Sequence, residues 1–333
     1  MSALHSEKLR TADVALRDFR PEDYPAVVGI DNASFPDYPG TVEELRYEDE
    51  HFDMKKYVRR RLVAAEPAGD VVGYANYAHM PWAFDPRRYD MWIGVDPRRQ
   101  RQGIGRALYE AVLDEMRARD AAVLKTSARE SMTDAVAWIL RRGFAETSRN
   151  WESHLDVRAF EPSRFSEYGS PPEGIRIATL KEELAEDPDR LRAVFEMGNL
   201  LGPDVPRTDP YTPPSWEMWR AMVVGSPWSF PEAFFLAKDG ERYVGQSDLE
   251  RSESQPGVLY TGFTGVLRAY RGRGIAQVLK LRALTFAKEH GYAEVRTWNS
   301  TLNAPMLGIN GKLGFVRQPA WIQFKKDLGG ASG

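Results

Sequence analysis

The 333-residue sequence contains no cysteine. That excludes a disulfide framework, a thiolate metal site and a cysteine nucleophile, and leaves the redox compartment undetermined. No stretch approaches the ~18 consecutive apolar residues of a membrane-spanning helix, and residues 1–10 lack the apolar core of a secretory signal. A cytoplasmic protein with no membrane partner is the expectation. Positive charge is not in excess either. The formal net charge is −3, with no basic stripe, so nucleic acid is not an expected partner. Any phosphate-bearing ligand must then be held by a local cluster.

What is present has the composition of a soluble globular protein. Hydrophobic residues make up 42% and charged residues 28%, enough apolar material for two cores. The length suits two domains of about 150–170 residues. Residues 266–315 organise the chain. An apolar run over 258–266 feeds the turn Arg271-Gly272-Arg273-Gly274-Ile275-Ala276, after which Ile275, Val278, Leu279 and Phe286 recur at helical spacing. A strand, a glycine-rich turn and a helix N-terminus aim several free backbone N–H groups at one point, beside the positive end of the helix dipole. That geometry suits a pyrophosphate. Arg271 and Arg273 are expected to add forked donors for phosphate oxygens, while Gly272 and Gly274 admit close backbone approach.

The pattern occurs twice. Val95, Gln100-Arg101-Gln102-Gly103-Ile104-Gly105 and Gly143-Phe144 match Val266, Arg271-Gly272-Arg273-Gly274-Ile275-Ala276 and Gly314-Phe315 at a constant offset of 171 residues. One such loop is weak evidence, because short motifs match by chance. Two in one register, each followed by a helix and a Gly-Phe strand start, indicate a duplicated unit.

Around the loops, residues 14–19 read as a strand and 20–30 as a helix opened by Pro21. Residues 42–61 read as a charged second helix, with Arg59-Arg60-Arg61 suiting the dipole at its end. A hairpin over 62–66 and 71–79, a strand at 91–95 and an amphipathic helix carrying Ile104, Leu108, Val112 and Met116 follow. Then come a strand at 123–127, a helix at 134–142 and a closing strand over 144–157. Residues 158–174, with Pro162, Gly169, Pro171 and Pro172, mark an exposed linker. From Ile175 the cycle restarts, with a helix around Leu191, Val194 and Phe195 and a hairpin across Asp239-Gly240. The halves differ most over 202–231, a proline-rich segment holding Trp216, Trp219 and Trp228. It is either a binding loop or lid, or a segment its tryptophans pack onto its own core. The division is 1–157, linker 158–174, and 175–333.

This order of elements, with Gln100-Arg101-Gln102-Gly103-Ile104-Gly105 and Arg271-Gly272-Arg273-Gly274-Ile275-Ala276, resembles the GNAT acetyltransferase superfamily in tandem form. In layout the chain is similar to the tandem bacterial enzymes that include mycothiol synthase, above all over Thr297-Trp298-Asn299 and Asn303-Ala304-Pro305-Met306. The resemblance implies an α/β (α+β) fold of two GNAT-like domains, each a mixed, mostly antiparallel sheet flanked by helices. It also implies acetyl-CoA as cosubstrate and no metal. By position the cofactor would meet Thr264, Gly265, Val266, the loop Arg271 to Ala276, Asn303 and Asn310. In the first half the matching residues are Ile93, Gly94, Val95, Arg101, Gln102, Gly103, Ile104, Gly105 and Arg106. An exposed strand edge can take a pantetheine amide by strand addition.

The implied chemistry needs a base for the acceptor amine and backbone donors for the developing oxyanion. Direct transfer in a ternary complex needs no covalent enzyme. The family's acid tyrosine falls at Asn310 in the second half and Ile139 in the first, and the helix-start Asn303 is matched by Met132. Neither Asn310 nor Ile139 can transfer a phenol's proton, though Asn310 can hydrogen-bond to the cofactor. The second half is therefore expected to be the active one. Asp248 and Glu250, at the end of its hairpin, are the candidate bases if desolvated, and solvated strand-end charges are the alternative. Asp90 sits on a comparable strand of the first half. His79 has a suitable pKa for a base but reads equally as a packing residue.

The leading expectation is an N-acetyltransferase of a small-molecule amine, monomeric as a pseudo-dimer, with homodimerisation through a sheet edge open. The competing one is a non-catalytic acyl-CoA sensor or scaffold with degenerate domains.

Overall fold

The computed structural model describes residues 14–329; residues 1–10, read above for a signal segment, lie outside the described residues. Local chemistry starts several elements. At Thr41 and again at Thr179, the threonine hydroxyl accepts from the amide three residues on. Glu44 and Glu182 return the bond to the threonine N–H, so two orphan helix donors are satisfied at each start.

The first half runs β1 (Ala15–Asp18), α1 (Tyr24–Ser34), α2 (Val42–Glu50), β2 (Arg59–Ala65), β3 (Val71–Ala78), β4 (Arg88–Val95), α3 (Ile104–Ala118) and β5 (Val123–Arg129). It continues through α4 (Thr133–Leu140) and β6 (Ala145–Asp156). The second half repeats that order. It runs β7 (Ile175–Thr179), α5 (Leu180–Glu186), α6 (Arg190–Leu201), a short α7 (Trp216–Arg220), β8 (Phe234–Asp239) and β9 (Arg242–Arg251). Then follow β10 (Val258–Val266), α8 (Ile275–Glu289), β11 (Glu294–Ser300), α9 (Ala304–Lys312), β12 (Val316–Arg317) and β13 (Trp321–Asp327).

The described residues form two compact units: 14–80 with Asp85–Thr126 and 325–329, and Pro81–Phe84 with Ser127–Phe324. In the first, β1 to β5 are neighbours in chain order, antiparallel except for the parallel pair β4–β5. In the second the order is β6-β11-β10-β9-β8-β7, again with a single parallel pair, β10–β11. Each unit thus has the mixed, mostly antiparallel sheet expected. The units cut the chain at 126/127 instead of in the linker because β6 pairs with β11 from Asp156↔Glu294 to Asn150↔Ser300. A full antiparallel ladder holds β6, and α4 before it, to the second unit.

Three expectations are corrected. The second helix ends at Glu50, and Arg59-Arg60-Arg61 open strand β2. Arg59 and Arg61 reach Asp49 at 3.1 and 2.7 Å, and Arg60 reaches Asp18 at 2.6 Å, so ion pairs and not a helix dipole hold the run. The linker is fastened, not loose: Phe160 is buried in the core of the second unit, and Lys288 of α8 meets Glu161 at 2.9 Å. The final strand, β13, went unread in the sequence although Ile322 and Phe324 alternate inward along it. Among the described residues no helix is long and apolar enough to cross a membrane.

The apolar core of the second unit joins Leu236, Val244, Leu259, Val295, Leu279 and Leu284. At one edge lies Glu183, fully buried, accepting from Lys238 Nζ at 2.7 Å, Tyr243 OH at 2.6 Å, Arg176 at 2.8 Å and Arg190 at 2.9 Å. Burial alone would raise its pKa, but the Lys238 and Tyr243 bonds and the Lys238 and Arg190 charges hold it down to about 2. A depressed carboxylate stabilises the fold above its unfolded value and ceases to as pH falls through the folded one. Glu183→Gln should therefore cost about 3–5 kcal/mol at pH 7, because Lys238 is left as a buried, uncompensated charge. Urea unfolding measures that deficit, which should shrink as pH is lowered toward 2, where the wild-type carboxylate is protonated too.

Candidate active site

The two glycine-rich loops adopt the same backbone. Arg101 and Gly103 have φ of 62° and 91°, and Gly272 and Gly274 have 75° and 81°. Left-handed residues at matching places let each loop turn sharply enough to aim successive amides to one side. Gly103 and Gly274 are the N-caps of α3 and α8 and supply no side-chain cap. Among the described residues, no acceptor meets the amides of Gly272, Arg273, Gly274, Ile275 or Ala276, the first helical bond being Val278 N–H to Gly274 O. A Cβ on Gly272 or Gly274 would meet nothing within 4 Å, so the concave side is open.

The arginines are placed otherwise than expected. Arg271 donates its Nε to the Val266 carbonyl at 2.9 Å and an Nη to Asp204 at 2.5 Å. Gln100 makes the matching bond to the Val95 carbonyl at 3.3 Å. The first motif residue therefore ties the loop back to the strand before it. Arg273 donates to the Glu173 carbonyl at 2.9 Å, and Arg106 pairs with Glu110 at 2.7 Å on the surface. The backbone amides of the second loop are thus left without protein acceptors among the described residues while its arginines are occupied.

Behind each loop, the parallel strands part. Pairing of β4 with β5 ends at Asp90↔Lys125, and pairing of β10 with β11 ends at Tyr260↔Arg296. The edges past those points, Ile93-Gly94-Val95 and Thr264-Gly265-Val266, lack a strand partner on that side. There the halves diverge. Register between β3 and β4 is continuous, whereas β9 and β10 shift between Thr261 and Thr264, a bulge at Gly262-Phe263. A Cβ on Gly262 would collide with the carboxylates of both Asp248 and Glu250, so glycine alone lets the two acids close over the bulge. Asp248 accepts from the Phe263 amide at 3.1 Å and from Gln246 Nε2 at 3.3 Å.

Burial pushes Asp248 up to about 7, against those two bonds and the charge of Lys280. Glu250 is pushed up to about 8, by burial first and then by the negative charge of Asp248. Each carboxyl thus ionises less readily than in water, Glu250 the more so because Asp248 beside it can carry charge. By strand register the first half has Asn76 and Ala78 at these positions. In the first half the ring of Tyr74, its hydroxyl bonded to Asp31, lies where a Cβ on Gly94 would go; in the second half the ring of Phe263 does the same at Gly265.

Asn310 is buried; it donates to Asn299 Oδ1 at 2.6 Å and its own Oδ1 has no partner among the described residues. Gln246 Oε1 is unpartnered too. Asn303 caps α9 by accepting from the Met306 amide at 3.3 Å, whereas Met132 offers α4 no cap. His79 spends both ring nitrogens on backbone, accepting from Val58 N–H at 3.1 Å and donating to the Pro86 carbonyl at 3.3 Å. It is a packing residue. Trp216 and Trp219 stack on each other and on Phe195 against the core. Thr212 of the same segment bonds the carbonyls of Pro81 and Trp82 at 2.8 and 3.1 Å, so the segment is tied down along its length.

Sequence reasoning missed Gly262, Tyr74 and Lys280. A glycine inside a strand was a readable signal for a bulge or a close approach. The lysine between Leu279 and Leu281 was another, since it interrupts the apolar face of α8.

A family model described as "Acetyltransferase (GNAT) family" matches residues 26–144 and 199–315. Mycothiol acetyltransferase of Catenulispora acidiphila is 25% identical over 280 residues, covering 82% of this chain and 82% of that protein. The tandem GNAT protein from the clavulanic acid biosynthesis pathway has a TM-score of 0.73 at 19% identity, covering 95% of this chain and 99% of that one. A GCN5-related N-acetyltransferase from Sphaerobacter thermophilus has a TM-score of 0.69 at 21% identity, covering 95% of this chain and 96% of that one. At these identities the two structures speak to the fold.

Carboxyls with raised pKa values stabilise the fold below their unfolded pKa and lose that contribution as pH rises through the folded value. Glu250→Gln should therefore raise the thermal midpoint by several degrees at pH 9 and leave it nearly unchanged at pH 5. Equal midpoints for variant and wild type at pH 9 would mean that Glu250 is solvated.

Proposed function

The chain belongs to the GNAT acetyltransferase family, and from that membership we propose an acetyl-CoA-dependent N-acetyltransferase of a small-molecule amine, with its chemistry in the second half. The observation that carries this is the Asp248–Glu250 pair over the Gly262 bulge, which has no counterpart in the first half. The division into repeats at 1–157 and 175–333, joined by 158–174, belongs to the same reading.

The residues fit the cosubstrate. Amides from Gly272 to Ala276 would take the pyrophosphate, and the free edge of Thr264, Gly265 and Val266 would pair with the pantetheine arm. Asn303 Nδ2 and the unpartnered Asn310 Oδ1 are left for its amide groups. When bound, acetyl-CoA supplies the acyl group as a thioester. The ionised member of the carboxyl pair accepts the proton of the acceptor amine, and Gln246 and the Phe263 amide keep Asp248 oriented for it. No side chain carries the acyl group, so donor and acceptor are held together in a ternary complex. A mycothiol-precursor amine, an amino acid, an antibiotic amine and a protein N-terminus are the candidate acceptors.

The absence of a phenol at Asn310 and Ile139 favours a second reading, a non-catalytic acyl-CoA sensor. That reading requires tight binding with no thioester cleavage for any amine offered.

Calorimetric titration of acetyl-CoA into wild type, Gly103→Asp and Gly274→Asp tests the proposal, with thermal midpoints confirming that each variant folds. A carboxylate in the Gly274 cradle should weaken binding by about 100-fold or more, the scale of losing several charge-assisted hydrogen bonds. Gly103→Asp should leave that binding intact. Equal losses from both variants would mean two competent sites and would remove the assignment of one active half. A wild-type protein that takes no acetyl-CoA would end the acetyltransferase reading.

A further inference from the structure

Resting on acetyl transfer in the second half, we propose that Lys280 is the proton donor to the departing CoA thiolate, occupying the chemical role left open by Asn310. Lys280 lies in α8 between Leu279 and Leu281 and is only 3% exposed. Among the described residues, no hydrogen bond or ion pair reaches its ammonium. Its Nζ sits 5.3 Å from the centre of the Phe315 ring, and the Phe315 amide donates to the Asn310 carbonyl at 3.0 Å. Asp248, on the strand β9 against which α8 packs, feels its charge. The ammonium therefore has about it the field of Asp248 and the Phe315 ring, which is tied through the backbone to Asn310. Asn310 Oδ1 is itself without a hydrogen-bond partner among the described residues.

A lysine this deeply placed whose ammonium has no protein acceptor is costly, and a leucine would serve packing better. The placement makes sense if an anion arrives beside it during the reaction. The matching residue of the first half is Tyr109, whose hydroxyl is already bonded by Lys326 at 2.9 Å. That half has neither the free cation nor the carboxyl pair.

The step balances without another reactant. As the carbon–sulfur bond breaks, its electron pair passes to sulfur. An Nζ–H bond breaks and its proton joins that pair, leaving CoA as the thiol and Lys280 as a neutral amine. The carboxyl pair holds the proton taken from the acceptor nitrogen. Transfer of one proton from that pair to Lys280, directly or through water, resets both. Of the charged groups on the elements packed around Lys280, Asp248 is the one whose field reaches it, and Glu250 acts on Asp248. Burial lowers Lys280 to about 8 against the pull of Asp248, within reach of a thiol's own ordinary pKa of about 8.5. Donor and recipient are thus matched for proton transfer.

The first readout uses CoA thiol as the probe and needs no acceptor; the turnover readout uses acetyl-CoA with a panel of small-molecule amines. Ultraviolet thiolate absorbance of stoichiometric CoA complexes is followed against pH for wild type, Lys280→Met and Lys280→Arg. Wild type should ionise bound CoA about tenfold more readily than free CoA, and Lys280→Met should abolish that shift. Lys280→Arg should keep the shift, because the charge remains, yet lose about 100-fold in thioester turnover, because guanidinium does not release its proton. Lys280→Met should fold at least as well as wild type, and the wild-type comparison with free CoA stands without any variant. Bound and free CoA titrating alike in wild type, or Lys280→Met titrating like wild type, overturns the assignment. Full turnover by Lys280→Arg overturns the proton-donor role. Failure of CoA to bind wild type would instead defeat the underlying acetyltransferase reading.

Discussion

The parting of β10 from β11 after the Tyr260–Arg296 pair is the constraint on which the proposed site of the second unit depends. A strand that loses its neighbour in mid-course leaves backbone N–H and C=O groups that must find other partners. On the other edge of β10, Asp248 and Glu250 of β9 close over the bulge because Gly262 has no Cβ. Asn310 is buried on α9 and Lys280 on α8.

Duplication preserved the backbone and let the side chains drift. Both loops keep the paired left-handed residues and the tether from the first motif residue to the strand carbonyl. Those features depend on local geometry and survive in each copy. The bulge and the side chains around it do not. In the first half the register runs on without a bulge, and Asn76, Ala78, Met132, Ile139 and Tyr109 stand where the second half has Asp248, Glu250, Asn303, Asn310 and Lys280.

Burial displaces the proton affinities of two carboxyls and an ammonium in the second unit, and each such charge carries a desolvation cost. Glu183 shows the contrast: fully buried, it collects four donors and is held ionised. A charge with full partnership is structural, and a charge left wanting a partner is available for chemistry.

The sequence by itself determined the duplication, the two loops and the alternation of strands and helices, because these rest on short-range regularities. Glycines at fixed positions, apolar residues at helical or alternating spacing and a constant 171-residue offset can all be counted along the chain. It also singled out Asp248 and Glu250, through their place at the end of a hairpin. Where a local pattern suited two structures, it misled: the charged stretch through Arg61 reads as helix, yet Asp49 and Asp18 hold the arginines in a strand. The tertiary structure alone decided that Arg271 ties the loop to the Val266 carbonyl, that β6 completes the sheet of the second unit, and that Gly262 brings two acids together. It also decided that Lys280 is buried without a partner. Burial and pairing depend on residues far apart in the chain, and a displaced proton affinity arises only when those residues exclude water from a charge.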